Sequence, residues 1–275
     1  MTDQPTIETE HFLPKVESIL QISDQITLAA LKDEHTYYEK GDRDFSSDVD
    51  LAVEQAVKSE LKKIDDRIPI LGEEFSWDHR QEEDEKIFWA VDPIDGTVNY
   101  SRKLPLFGTS IALIRDGLPI LSGVSFPVLR ESYTAGLGVG AFLNGGRISV
   151  SMTSEFSEAI AAYGDFAVGG EARQKNSIRY DFLEHLADQV LRIRMPGSAA
   201  LQLAWLASGR ADISITLSNN AWDVQGGVLL VREAGGEVYD LDGSQHTVRS
   251  RYTLASNPLL RSRVLDYFKK RPKRD

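Results

Sequence analysis

Apolar residues recur at helical spacing over residues 14–32 (Val16, Ile19, Leu20, Ile26, Leu31) and again over 50–64 (Leu51, Val53, Val57, Leu61), which predicts two N-terminal helices. Between them YYEKGDRDFSSD, residues 37–48, is polar and without period. It reads as a loop that ends at the second helix with Asp48 or Asp50 near its N-terminus. Strand-like runs follow: IPIL before Gly72, IFWAV at 87–91, GTSIALI at 108–114 and PILSGVSF at 119–126, with Asp116-Gly117 as a hairpin turn. They predict a mostly antiparallel sheet. The run GLGVGAFLNGG, 136–146, imitates a nucleotide-binding glycine loop but has no strand-helix-strand frame, so it reads as turns between short strands. Beyond it the pattern alternates: a strand around AIAAYG, a helix over 178–189, a strand LRIRM, a helix SAALQLAWLASG, a strand ADISIT and a helix over 223–234. That half has the pattern of a layered α/β arrangement. No repeat or linker divides the chain, so 1–275 is expected to be a single domain. Its N-terminal α+β part would run to about 150, its C-terminal α/β part over about 151–268, and a solvated basic tail over 269–275.

With 275 residues, 41% of them hydrophobic, the chain can bury a sizeable core. The 31 basic and 42 acidic residues give a net charge of -11, which argues against sequence-independent binding of nucleic acid and for small-molecule chemistry. Any phosphate site in so acidic a chain must supply its own positive charge, as metal ions could. Cysteine is absent, which excludes disulfides, thiolate metal sites and cysteine nucleophiles. The histidines at 11, 35, 79, 185 and 246 are scattered and form no HxxxH pair, leaving oxygen ligands rather than a zinc site. The N-terminal MTDQPTIETEHFLPK has acids where a signal peptide has bases, and no apolar run of about 18 residues occurs, so a cytoplasmic protein without a membrane partner is expected.

The stretch WAVDPIDGTVNY, 89–100, narrows these possibilities. Asp92 and Asp95 stand at the end of a strand around a proline, and carboxylates so close resist ionising together unless a cation or strong donors offset their repulsion. Pro93 and Gly96 turn the chain sharply, so that both carboxylates can converge, and a helical turn starting at Gly96 and Thr97 would present unpaired N–H groups to an anion. Asp, Pro and Gly are also ordinary turn residues, so this segment alone is equally a surface turn. Glu73 closes the preceding run IPILGE, another carboxylate at a strand end. Asp223 opens the last predicted helix, where its charge suits the N-terminus even without a metal. Gly226 and Gly227 weaken that helix and point to a close approach there. Glu73, Asp92, Asp95 and Asp223 together form a hard oxygen set that selects Mg²⁺ or Mn²⁺ over zinc.

The segments GEE at 72–74, DPIDGTVNY at 92–100 and WDVQGGVLLVREAGG at 222–236, with SSDVDLAVE upstream at 46–54, closely resemble the motifs of the inositol monophosphatase family, in that family's order. The resemblance implies an α-β-α-β-α sandwich of the type shared with fructose-1,6-bisphosphatase, assembled as a homodimer. It implies two or three Mg²⁺ ions, with Mn²⁺ as a substitute, held by Glu73, Asp92, the Ile94 carbonyl, Asp95 and Asp223. In family members one metal, with the equivalents of Glu73 and Thr97, readies a water for in-line attack, while another stabilises the departing alkoxide. Gly96 and Thr97 would hold the phosphate through backbone N–H groups. Asp50 and Ser47 match the acid and hydroxyl pair linked to activation, with Ser47 in place of the usual threonine.

On the substrate side, PGSAAL at 196–201 resembles the segment lining the sugar or inositol pocket, which makes Gly197, Ser198 and Ala199 candidate contacts beside Asp95 and Asp223. Thr216 stands where family members acting on inositol phosphates usually carry a glutamate, and it lacks the charge and second oxygen. The implied function is hydrolysis of a small phosphate monoester, inositol monophosphate first, with histidinol phosphate, a sugar phosphate or phosphoadenosine phosphate as alternatives. A non-catalytic regulatory protein that retains the fold is the reading of another class. The DPID spacing departs from the DxDGT of haloacid-dehalogenase-type phosphatases, whose first aspartate is a nucleophile.

Overall fold

The computed structural model describes residues 9–41, 43–75, 86–170 and 172–270. His79 and most of the predicted basic tail, from 271 on, lie outside them. The elements run α1 (Thr9–Ala30), β1 (Tyr37–Gly41), β2 (Asp44–Ser47), α2 (Asp48–Ile64), β3 (Ile70–Gly72), β4 (Ile87–Asp95), α3 (Thr97–Ser101), β5 (Gly108–Arg115), β6 (Leu118–Phe126), β7 (Glu131–Gly136), β8 (Gly140–Leu143) and β9 (Gly146–Arg147). They continue with β10 (Ile160–Tyr163), α4 (Ala172–Gln189), β11 (Arg192–Arg194), α5 (Ala199–Ala207), β12 (Ile213–Thr216), α6 (Ala221–Glu233), β13 (Glu237–Tyr239), β14 (Thr253–Ser256) and α7 (Arg261–Lys270).

Strands β3 to β9 form a seven-stranded sheet in chain order, antiparallel throughout except for the parallel β3–β4 pair. The β5–β6 connection is the expected Asp116-Gly117 turn, with φ of 50° and 77°. The glycine-rich stretch is the turn-and-strand meander β7–β8–β9, as its pattern predicted. A second sheet, ordered β11-β10-β12-β14-β13, mixes parallel and antiparallel pairs.

The cores show how the layers stack. Val16, Ile19 and Leu20 of α1 pack with Val49, Val53, Val57 and Leu61 of α2 against Trp89, Val91, Ile111 and Leu121 of the first sheet. Its other face meets α5 and α6, whose Leu203, Leu206, Val228 and Leu230 also reach Val238 and Ala255 of the second sheet. The far side of that sheet is covered by α4 and α7 through Phe182, Leu186, Val264 and Leu265. The result is the α-β-α-β-α sandwich. Buried between two sheets, α5 and α6 are apolar nearly all round. A Cβ at Gly226 would lie 2.6 Å from the Ser110 hydroxyl, and one at Gly227 2.4 Å from Leu203 Cβ, so these glycines let α6 approach both neighbours.

The structure differs from the sequence pattern in several places. The expected loop at 37–48 is an antiparallel ribbon, β1–β2; β1 is exposed along its whole length, so neither face needs apolar residues and no alternation marks it. Helix α1 begins before Pro14, which lies near enough to the start that the lost hydrogen bond concerns the first-turn carbonyl of Glu10. Strands β13 and β14 and helix α7 complete the second sheet and its cover without a pattern strong enough to announce them, and α4 starts at Ala172, before the expected 178. Among the described residues no helix is long and apolar enough to cross a membrane.

Asp24 on α1 accepts a 2.6 Å hydrogen bond from the Ser125 hydroxyl, yet burial pushes its carboxyl up from 3.8 to about 6, against the opposing effect of that bond. The folded chain therefore holds the proton more tightly than the unfolded one. The stabilisation is complete below about pH 3.8 and is lost as pH rises through about 6. Asp24→Asn keeps an acceptor for Ser125, and we expect it to raise the melting temperature at pH 8 by ~2–4 °C, with the gain shrinking below pH 5. A gain equal at both pH values in thermal unfolding would contradict this assignment.

Candidate active site

The site is assembled at the ends of β3 and β4. Their parallel register sets Gly72 beside Val91, and the Glu73 N–H continues the pairing onto the Val91 carbonyl at 3.1 Å, which places Glu73 next to Asp92. Asp92 and Asp95 would point to opposite faces of a regular strand, because side chains alternate. A bulge resolves this: Asp92 pairs with Ser110 and Asp95 with Gly108, two β5 positions on one face, so the extra residue in β4 brings both aspartates to the same side. Pro93 suits the bulge because it has no N–H to leave unpaired, and the Thr109 hydroxyl donates to its carbonyl at 2.8 Å. Thr109 is in turn hydrogen-bonded to Ser23 of α1.

Carboxylate oxygens of Glu73, Asp92 and Asp223 lie within 4.8 Å of one another. Asp223 reaches the group from the first turn of α6, where Asn220 Nδ2 donates to its Oδ2 at 2.9 Å. Burial, and then repulsion from Glu73, pushes the carboxyls of Asp92 and Asp223 well above the usual aspartate range. Asp92 is 2% exposed and its Oδ1 is buried without a hydrogen-bond partner. Lys40 of β1, with Nζ 2.8 Å from Glu73 Oε1 and 2.6 Å from Glu74 Oε1, supplies a cation at the edge of the group. Self-repelling carboxylates, one with an orphaned buried oxygen and, among the described residues, with no histidine in the group, fit a hard divalent ion.

Asp95 turns toward the start of α5. Its carboxylate accepts the Ser198 hydroxyl at 2.6 Å, the Ala200 N–H at 2.6 Å and the Ala199 N–H at 3.2 Å. These donors offset part of the burial that raises its pKa. On the other side of the bulge, Gly96, with φ 93°, caps α3, and the Thr97 hydroxyl lies 3.1 Å from the Ile94 carbonyl and 3.3 Å from Asp50 Oδ1. Asp50 is fully buried and forms a capping box with Ser47, accepting the Ser47 N–H at 2.9 Å and its hydroxyl. The Ser47–Asp50–Thr97–Ile94 series is thus one connected network.

A cleft of about 670 Å³ opens beside the acids and is lined by Asp95, Gly197, Ser198, Ala199, Thr216 and Asp223 among others. Thr216, at the end of β12, is 6% exposed and its hydroxyl has no partner. Three residues of the site were not legible in advance. Lys40 sits in an aperiodic polar stretch that carries no signal. Asn99 donates to the carbonyls of Leu106 and Pro196 at 2.7 and 2.8 Å, tying α3 to the turn before α5. Arg179 of α4 holds the Leu217 carbonyl at 2.6 Å at the far wall of the cleft. A buried-side asparagine within DPIDGTVNY was the available hint for the second; the third depends on a contact remote in sequence.

Comparison with known proteins was decided by a match of the inositol monophosphatase family profile to residues 10–272. The chain belongs to the inositol monophosphatase family. It is 32% identical over 225 residues to the fructose-1,6-bisphosphatase/inositol-1-monophosphatase of Thermotoga maritima, covering 82% of each chain. It is 38% identical over 208 residues to the Nus factor SuhB of Xylella fastidiosa, covering 75% of this chain and 72% of that one. Among solved structures, the inositol monophosphatase of Anabaena superposes with a TM-score of 0.84 at 29% identity, covering 96% of this chain and 97% of the other. As an inositol monophosphatase family member the chain is a phosphoric monoester hydrolase of a family that depends on metal, and Glu73, Asp92 and Asp223 form a group that could hold such an ion.

Proposed function

We propose that this enzyme hydrolyses inositol monophosphate or a similarly small phosphate monoester with Mg²⁺, by direct in-line attack of water. The observation that carries this is the group Glu73, Asp92 and Asp223, whose carboxylate oxygens lie within 4.8 Å of one another and repel unless a cation or a proton offsets them. Asp95 joins the set through the lone pair that its three donors leave over, since a carboxylate offers about four acceptor positions. The Ile94 carbonyl completes it. Bound there, two or three Mg²⁺ ions, with Mn²⁺ as a substitute, would supply Lewis acidity to the phosphoryl group and its leaving oxygen.

The remaining work falls to the chain's own groups. Glu73 and Thr97 orient the attacking water; the Thr97 proton is committed to Asp50 or the Ile94 carbonyl, so the hydroxyl oxygen is left to accept. Ser47 holds Asp50 for that task. Backbone N–H groups of Gly96 and Thr97 meet the phosphate, and Gly197, Ser198, Ala199 and Thr216 face the organic part. The net charge of -11 favours a small-molecule partner over nucleic acid, and the family resemblance implies a homodimer.

The test is phosphate release with Mg²⁺ from a panel of inositol, histidinol, sugar and nucleotide monoesters. Inositol 1-phosphate should lead, and release from none of them would leave the regulatory alternative standing. Thr216 offers a second check. Thr216→Glu should raise kcat/KM for inositol 1-phosphate about fivefold to tenfold, because a charged acceptor is worth ~1 kcal/mol or more over a neutral one. An unchanged ratio of kcat/KM between inositol 1-phosphate and the next-best ester would show that residue 216 does not read the substrate.

A further inference from the structure

Glu73 is carried by a segment without regular structure, residues 73–75, and something must hold it in place. Its own N–H is fixed on Val91, and the next two N–H groups go elsewhere. Glu74 N–H donates to Glu54 Oε2 at 2.8 Å and Phe75 N–H to Glu54 Oε1 at 3.1 Å. Glu54 belongs to α2, is 0% exposed, and pairs with Lys58 Nζ at 2.6 Å. Its carboxylate occupies the space beside Gly72: a Cβ there would lie 2.0 Å from Glu54 Oε1, so the glycine and the buried acid are matched to each other. A carboxylate taken wholly out of water is costly unless its oxygens are all engaged, and here they are engaged by the backbone that bears Glu73.

We propose that Glu54 is a positioning residue: by fixing the backbone of residues 73–75 from α2, it aims the Glu73 carboxylate at Asp92 and Asp223 and so sets the affinity of the site for a divalent ion. This rests on the reading that those acids hold such an ion. Removing groups that orient metal ligands commonly weakens metal binding ten- to a hundredfold. In Glu54→Gln the amide offers one acceptor oxygen where the segment presents two donors, and its NH₂ opposes the second. Glu54→Asp keeps the charge but withdraws it by one methylene, and it serves if the glutamine variant does not fold.

The experiment is a Mn²⁺ titration of the full chain, followed by paramagnetic resonance or calorimetry, on the wild type, both Glu54 variants and Val57→Ala. Val57 lies in the core on the same helix, so its truncation lowers stability without touching residues 73–75. We expect the Kd for Mn²⁺ to rise about tenfold or more in folded Glu54 variants and to stay at the wild-type value in Val57→Ala. A folded Glu54 variant within twofold of the wild type, or an equal weakening in Val57→Ala, overturns the proposal. A wild-type protein that binds no Mn²⁺ overturns the metal reading itself, so the two failures are distinguishable.

Discussion

Protein stripped with EDTA and returned to metal-free buffer is expected to release almost no phosphate from inositol 1-phosphate, and Mg²⁺ is expected to restore turnover. Glu73, Asp92 and Asp223 are the physical reason. Their oxygens lie within 4.8 Å of one another, a spacing at which carboxylate charges repel unless a cation lies among them, and of the three Lys40 is ion-paired with Glu73. A phosphate dianion approaching such a group without a metal meets repulsion from both the cluster and the net charge of -11. The loss on stripping should therefore exceed ~10³-fold, the equivalent of several kcal/mol of transition-state stabilisation. Full turnover by metal-free protein in a phosphate-release assay would refute the mechanism.

Asp92→Asn should separate activity from stability. The amide binds a divalent ion weakly, and turnover should fall by about 10³-fold, with Asp223→Asn close behind. In the metal-free state the same substitution should help the fold. Burial and repulsion from Glu73, Asp95 and Asp223 push the Asp92 carboxyl well up, so an uncharged side chain of the same shape removes a penalty. We expect the melting temperature of metal-free Asp92→Asn to exceed that of the wild type by ~2–4 °C at pH 8, and saturating Mg²⁺ to stabilise the wild type alone. A lower melting temperature, with activity retained, would return Asp92 to the role of an ordinary turn residue.

Much of the site was legible because its motifs are local. WAVDPIDG places a strand, a turn and two acids within one short stretch, and Asp223 announces itself at a helix start. Helices α1 and α2 followed from their apolar period, and the crowding of α6 from two glycines that no exposed helix would keep. The ribbon β1–β2 was not legible, since a strand exposed on both faces leaves no alternation to read. Strand β14, Thr253–Ser256, is buried throughout, but its Thr-Leu-Ala-Ser sequence holds one large apolar residue, so no apolar run marks it.

Most of the helices and strands and the family were legible from the chain alone, because period, composition and motif order are carried by neighbouring residues. Which carboxylates meet was settled by long-range packing. The bulge that turns Asp92 and Asp95 to one side depends on the register with β5, and the approach of Glu73 depends on a parallel pairing. The engagement of Asp95 with the start of α5, and of Glu54 with the segment after β3, joins residues far apart in the chain. Such contacts are settled by packing a helix or strand against surfaces that the local pattern does not describe, which is why they appear only once the layers are in place.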